Sequence, residues 1–356
     1  MIRIGVLGAG RVIQNRIVEV LRDELKGTSV LMVCDKVSER ADKVARQLGA
    51  KAVYDMKALL ENKDLDVVLI ATESGNHFQH SREVLEAGKH VIVEKPPALL
   101  PDEILENEDY ARQMGLMFAV IFQNRLNPAM QILKKTYDDG RFGKIVLSTI
   151  RLRWCRYQEY YEDGWHGTWA MDGGVLSQQA IHHLDALQWV CGEVSQVSAM
   201  QSNALNQLEA EDTTVATVRF ENGALGVIET TTAARPEDFE ASISIVGEKG
   251  FVVVGGIALN KIDTWKFVDQ RPEDMTIPQS CSQEVPTGYG LSHGPLIQEI
   301  VDRLNAGRVD PPITGTDAVS TMRLAHALYR SAEIEGVVKL ENEQLSERLG
   351  NSCFGR

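Results

Sequence analysis

The chain has 356 residues, 44% of them hydrophobic and 24% charged, with 29 glycines; this balance fits a globular protein of two domains and excludes a fibre or a disordered polymer. A net charge of −13 argues against nucleic acid as a partner, since phosphate-backbone binding needs Lys and Arg concentrated on one face. The five cysteines, Cys34, Cys155, Cys191, Cys281 and Cys353, are scattered, odd in number and free of any CxxC, which points to a reducing compartment and away from a tetrahedral metal site.

Met1 leads straight into a strand pattern, with no basic segment and apolar segment before it, and no stretch approaches ~20 apolar residues. A cytoplasmic protein with no membrane partner is expected. Ile2 to Leu7 is a short apolar run ending at Gly8, and residues 11–26 carry helical spacing. Val30 to Val33 is the next strand, followed by a helix over 37–48 closed by Gly49. Leu65 to Ala71 is a strand, 77–87 a helix, His90 to Val93 a strand, 101–114 a helix and Leu116 to Ile121 a strand. Short strands alternating with helices predict a Rossmann-type, doubly wound parallel sheet.

Asn127-Pro128 opens a helix over 128–140, and the pattern then changes to extended runs at 144–157, 193–203, 211–221, 224–233 and 240–248. Asn222-Gly223 and Glu248-Lys249-Gly250 are hairpin signals. Residues 296–306 and 316–334 return to helical spacing. The second half reads as an α+β domain with a largely antiparallel open sheet. The expected organisation is a dinucleotide-binding domain over 1–124, a substrate and oligomerisation domain over 125–340, and a frayed or subunit-contacting tail over 341–356.

The first strand runs into Gly8-Ala9-Gly10-Arg11-Val12-Ile13. Gly8 allows the tight turn, and Gly10 removes the Cβ that would keep a pyrophosphate from the backbone NH groups at the helix start. Ile13 stands where the full fingerprint has its third glycine, so helix and strand should lie further apart or pack differently. Asp35 follows the second strand where an acid accepts hydrogen bonds from the adenosine ribose, favouring NAD over NADP. The adjacent Lys36 weakens that preference, and helix capping is the other reading of Asp35.

Two further turns point to the same sheet edge. Thr72 to His77, with Asn76, supplies small polar groups after one strand, and Glu94-Lys95-Pro96-Pro97 follows another. Oxidation of a secondary alcohol needs a proton acceptor and a group that stabilises charge on the oxygen. Lys95 suits the second task. For the first, the run from Asp172 to Asp185 concentrates polar residues, with Gln178, His182 and Asp185 on neighbouring helical turns. His182 is the preferred acid/base and His183 the alternative; two buried structural histidines are the competing reading. Gln178, His182 and Asp185 make a poor ligand set, so no metal is expected. The aromatic stretch from Tyr157 to Trp169, including Trp165 and His166, offers rings to a nicotinamide or a sugar, or simply packs. Arg151, Arg153 and Arg156 form either an anion-receiving patch or a solvated strand face.

With these residues in hand, the chain resembles the Gfo/Idh/MocA family of oxidoreductases. The glycine turn, Asp35, Thr72 to His77, Glu94-Lys95-Pro96 and the run at 173–185 occur in that family's order, and Glu94-Lys95-Pro96 is the more specific signal. The resemblance implies that Lys95 touches substrate and nicotinamide and that His182 is the acid/base. Gln178 stands where many members have Asp, and Ala180 where they have Gly. Within the family, FQNRLNPA at 122–129 and the run at 165–187 are similar to dehydrogenases that oxidise the 3-hydroxyl of UDP-N-acetylglucosaminuronic acid for bacterial surface polysaccharide (O-antigen, lipopolysaccharide) synthesis. That likeness implies sugar or nicotinamide contacts for Asn124 and Gln178, and a carboxylate or diphosphate contact for Arg153 or Arg156. It also implies a homotetramer and adds 2-oxoglutarate as a candidate hydride acceptor. A dehydrogenase of a free sugar, inositol or another activated sugar and a non-enzymatic nicotinamide-binding sensor are the alternatives.

Overall fold

Apolar runs bounded by glycines and short polar turns form the first sheet: β1 (Ile2–Leu7), β2 (Thr28–Cys34), β3 (Lys51–Val53), β4 (Val67–Ile70), β5 (His90–Val93) and β6 (Phe118–Val120). All pairs are parallel, in the order β3-β2-β1-β4-β5-β6. In such a doubly wound sheet the strand order reverses beside β1, which opens a crevice at the carboxyl ends of β1 and β4. β4 is buried throughout, as a strand covered by helices on both faces must be. β3 and the helix Met56–Leu60 go beyond the expected elements, because so few residues show no period.

The computed structural model describes residues 1–351. The chain divides into two units, Met1–Gln123 with Leu291–Val319, and Asn124–Gly290 with the residues from Ser320 onward. The sequence reading counts 291–319 with the second half, whereas hydrogen bonds tie this segment to the first unit. Arg16 Nη2 donates to the Leu291 carbonyl at 2.9 Å, and the Lys26 NH donates to Gln298 Oε1 at 2.7 Å. Its amphipathic helix, His293–Asn305, carries no local mark of the sheet it serves.

In the second unit, β7 (Ile145–Arg153), β8 (Val194–Ser202), β9 (Thr213–Phe220), β10 (Leu225–Thr231), β11 (Glu240–Gly247), β12 (Gly250–Gly255), β13 (Lys261–Phe267) and β14 (Val338–Lys339) form one sheet, ordered β13-β12-β11-β7-β10-β9-β8-β14. β7 and β10 pair in parallel, and the other pairs are antiparallel. Buried and open positions alternate along β9, as in a sheet with one covered face. The helix Ile181–Cys191 packs on that covered face against β7 and β11, over a core that includes Leu152, Trp154, Val175, Ala180 and Ala241.

The tail, expected either to fray or to contact another subunit, is docked within its own chain as far as residue 351. Ser346 and Leu349 are buried, the Ser346 NH donates to His326 Nδ1 at 3.2 Å, and the Gly350 NH donates to the Trp169 carbonyl at 2.9 Å. Its polar composition conceals one buried leucine and a set of backbone bonds. The remaining residues, Cys353 among them, lie outside the described residues.

Candidate active site

Gly8 sits at φ +92°, and a Cβ there would lie 2.5 Å from the Ala71 carbonyl oxygen. Only glycine combines that left-handed backbone with so close an approach of the β1 and β4 turns. Gly10 differs: a Cβ there would meet nothing within 4 Å. The space over it is open, as a cradle for a pyrophosphate requires, so the turn fits a dinucleotide. Arg11 is exposed and Val12 partly so, while Ile13 is buried. Wide, π-helical turns span Ile13–Ile17 and Val20–Glu24.

Asp35 is buried at the end of β2, where Oδ2 accepts from the Ala9 NH at 2.7 Å and Oδ1 from the Val37 NH at 2.8 Å. One carboxylate thus braces the glycine turn and the following turn, and a carboxylate retains further lone pairs for hydroxyl groups. Lys36 is engaged by Glu73, Nζ to Oε1 at 2.6 Å, and Glu73 also accepts from Asn76 at 3.2 Å. Burial raises the Glu73 carboxyl, but Lys36, its own backbone NH and Asn76 outweigh it and hold the group below its ordinary value.

A second network surrounds the turn after β5. His77 is buried with Nδ1 2.7 Å from the Pro96 carbonyl and Nε2 3.1 Å from the Thr72 carbonyl. Burial lowers its pKa despite these carbonyls and Glu94. Each ring nitrogen thus faces a backbone carbonyl from a different turn. His77 therefore braces two turns as scaffold. Thr72 Oγ1 meets His80 Nδ1 at 2.9 Å, a partner the sequence did not suggest.

Glu94 is buried, accepts from the Lys95 NH at 3.2 Å, and lies 3.4 Å from His293 Nε2. Burial raises this carboxyl, yet the His293 ring, Lys95 and His77 outweigh burial and hold it below its ordinary value. His293 belongs to the segment that rejoins the first unit, where Ser292 precedes it at the start of an amphipathic helix. Lys95 itself is half-buried at the sheet's carboxyl edge.

In the second unit, the helical turn Val175–Gln178 leads into Ile181–Cys191. The two candidate histidines are adjacent but unlike. His183 is buried edge-on to Trp154, with ring centroids 6.4 Å apart and neither ring nitrogen hydrogen-bonded, and burial pushes its pKa down to about 3. It is a core ring. His182 and Gln178 are also buried but keep 8% and 9% exposure, against 1% for His183. Asp185 is not part of that pair: it is committed to Arg125, Nε to Oδ2 at 2.9 Å and Nη2 to Oδ1 at 2.6 Å, and accepts from Thr321 at 3.2 Å. Next to Arg125, Asn124 is buried with Oδ1 lacking a hydrogen bond.

The aromatic stretch forms a stack. His166 lies 3.6 Å from the Trp165 ring centroid and 4.4 Å from that of Tyr160, and its Nδ1 meets Asp163 Oδ2 at 2.6 Å. Burial, with Asp172 adding to it, raises the Tyr160 phenol far above its ordinary value. Arg156 joins this cluster, its guanidinium 5.0 Å over Trp154 and 5.6 Å over Tyr160, and pairs with Asp238 at 2.8 Å. Arg153 does not join it. It is held on the open sheet face by Glu229 at 2.6 Å and Glu240 at 2.8 Å, the solvated strand face foreseen as the plainer reading. Among the described residues, no group of three His, Cys, Asp or Glu side chains could hold a metal, and no helix is long and apolar enough to cross a membrane.

Comparison with known proteins adds to this geometry. Residues 2–122 match the oxidoreductase family model with an NAD-binding Rossmann fold, and residues 130–253 match the GFO/IDH/MocA C-terminal domain. Among solved structures, the WlbA dehydrogenase from Bordetella pertussis, in complex with NADH and UDP-GlcNAcA, is 34% identical, covers 95% of this chain and 97% of its own, and has a TM-score of 0.89. The WlbA dehydrogenase from Chromobacterium violaceum, with the same two ligands, is 32% identical over 95% of each chain at a TM-score of 0.87. The D-glucoside 3-dehydrogenase of Escherichia coli (strain K12) is 30% identical over 273 residues, 70% of this chain and 75% of its own. A glycine turn open to a dinucleotide, a buried acid at the end of β2 and these matches together make the chain a member of the Gfo/Idh/MocA family of NAD-dependent sugar oxidoreductases.

Proposed function

We propose that the protein oxidises the 3-hydroxyl of UDP-N-acetylglucosaminuronic acid (UDP-GlcNAcA) to the 3-keto sugar, in the cytoplasmic synthesis of bacterial surface polysaccharide. The observation that carries this reading is the similarity, over nearly the whole of both chains, to a dehydrogenase crystallised with NADH and UDP-GlcNAcA. The E. coli relative named for 3-oxidation of a glucoside supports the same carbon.

Gly8, Gly10 and the NH groups from Arg11 to Ile13 hold the pyrophosphate, Asp35 the adenosine ribose, and the turns bearing Thr72, Asn76 and Glu94 the remainder of the dinucleotide. When bound, NAD would supply the hydride acceptor for the carbinol carbon. His182 takes the hydroxyl proton, and the Lys95 ammonium stabilises the charge that develops on the oxygen. Gln178 and Asn124 orient the sugar or nicotinamide through their amides. Trp165 and His166 offer a ring face, and Arg156 rather than Arg153 meets an anionic group, because Arg153 is already shared by two carboxylates.

Reduction of enzyme-bound NAD, followed by stopped flow with UDP-GlcNAcA, UDP-GlcNAc, a simple glucoside and an inositol, tests the reading. Fast reduction by UDP-GlcNAcA alone is expected, since remote binding energy should appear in turnover. No reduction by the uronic acid, or rates indifferent to the UDP half, overturns it.

A homotetramer built on the open sheet face belongs to the same reading. Phe251, Val246, Leu147 and Leu225 are exposed and stand in register across β12, β11, β7 and β10, an apolar row of the kind that marks an interface. Light scattering of the wild type and of Leu147→Glu decides the matter: a monomeric wild type ends it. Recycling of bound NADH by 2-oxoglutarate rests on resemblance alone, and loss of NADH absorbance on adding that acid checks it.

A further inference from the structure

The first turn of a helix leaves four NH groups without intrahelical partners. At Val175–Gln178 no side chain caps the start, yet all four are met, by two residues distant in sequence. The Gly174 and Ser177 NH groups donate to Tyr329 Oη at 3.0 and 3.4 Å. The Leu176 NH donates to Glu211 Oε1 at 3.0 Å, and the Val175 NH donates to the Glu211 carbonyl at 2.9 Å. Tyr329 Oη lies 3.1 Å from Glu211 Oε1 and 3.3 Å from Ser177 Oγ, so its single proton closes the network.

The packing leaves no slack. A Cβ on Gly174 would lie 2.1 Å from Glu211 Oε2 and 2.2 Å from its carbonyl oxygen, and one on Gly173, at φ +76°, would lie 2.3 Å from Ser177 Oγ. Glu211 and Tyr329 are both buried, and a buried carboxyl is a costly way to hold a helix that a serine or aspartate could cap. The turn so held carries Gln178 and runs directly into His182.

We propose that Glu211 and Tyr329 are positioning residues for hydride transfer, fixing the turn that carries Gln178 and thereby the place of the His182 imidazole. This rests on the reading of His182 as the proton acceptor. Neither residue touches substrate; they act through the backbone from Gly174 to Ser177.

The test compares Tyr329→Phe, Glu211→Ala and Glu211→Gln with the wild type, measuring kcat, KM, NAD affinity and amide exchange over residues 174–183. Tyr329→Phe and Glu211→Ala should lower kcat by about tenfold, since small misplacements of a reacting group are costly in rate, with KM and NAD affinity little changed. Glu211→Gln keeps an oxygen acceptor for the Leu176 NH and should restore most of kcat. If Glu211→Ala does not fold, the other two variants carry the test. A Tyr329→Phe enzyme with wild-type kcat overturns the proposal, as does a fall in which kcat, KM and NAD affinity move together. If the wild type oxidises none of the sugars, it is the substrate reading that fails. The positioning claim is then decided by exchange: quickening confined to 174–183 in Tyr329→Phe, with Glu211→Gln close to the wild type, upholds it, and unchanged exchange in Tyr329→Phe refutes it.

Discussion

Arg125 and Asp185 form a buried two-pronged ion pair, at 2.9 and 2.6 Å, that fastens the turn bearing Asn124 to the helix bearing His182. The aspartate that resembles part of a catalytic run is thus a brace. Thr321 supplies a further hydrogen bond to the same aspartate, at 3.2 Å.

Removing one partner of a buried pair leaves the other charge without compensation. Asp185→Ala should therefore lose about 3–5 kcal/mol in urea denaturation and lower kcat through the freed Asn124 turn. Arg125→Met with Asp185→Leu, which removes both charges, should recover much of the stability. A single variant as stable as the wild type would show the pair to be incidental.

His182→Ala and Lys95→Ala should each slow hydride transfer by about 10²-fold or more, whereas His183→Leu should retain most of it. The core ring also sets an acid limit. Its folded pKa of about 3 lies below the ordinary 6.5, so the unfolded chain takes up the proton first and stability falls as pH drops from 6.5 toward 3. His183→Leu should lose less stability over that window, as thermal melts across pH would record.

Gly8 and Gly10 should behave oppositely. Gly8→Ala places a side chain at positive φ and 2.5 Å from a carbonyl oxygen, so it should lower Tm. Gly10→Val meets no protein atom near its Cβ and should leave Tm in place while NAD affinity, measured by calorimetry, collapses. Equal affinity in Gly10→Val would remove the nucleotide from this turn.

Glu211 carries the reverse pH dependence to His183. Burial raises its carboxyl from 4.5 to about 8, so as pH rises between these values the unfolded chain releases a proton that the folded chain keeps, and stability declines. Glu211→Gln should match the wild type in stability near pH 4.5 and gain on it steadily up to pH 8. A constant difference across that range would mean that the carboxyl ionises normally.

Local pattern was enough for five of the six strands of the first sheet, the glycine turn, Asp35 and the Glu94-Lys95-Pro96 turn, because strand period, backbone freedom at glycine and the ends of parallel strands are all properties of neighbouring residues. It also led to His182 and His183 together, since helical spacing brings both into one short run. What distinguished them was packing: Trp154 and the core enclose the His183 ring at 1% exposure, while His182 keeps 8%. Tertiary structure likewise decided that Asp185 answers Arg125, that Arg153 belongs to Glu229 and Glu240, that His293 returns to Glu94, and that Glu211 and Tyr329 hold the turn Val175–Gln178. Each of these depends on which charge or hydrogen-bond partner burial brings within reach, and sequence spacing carries no record of that distance.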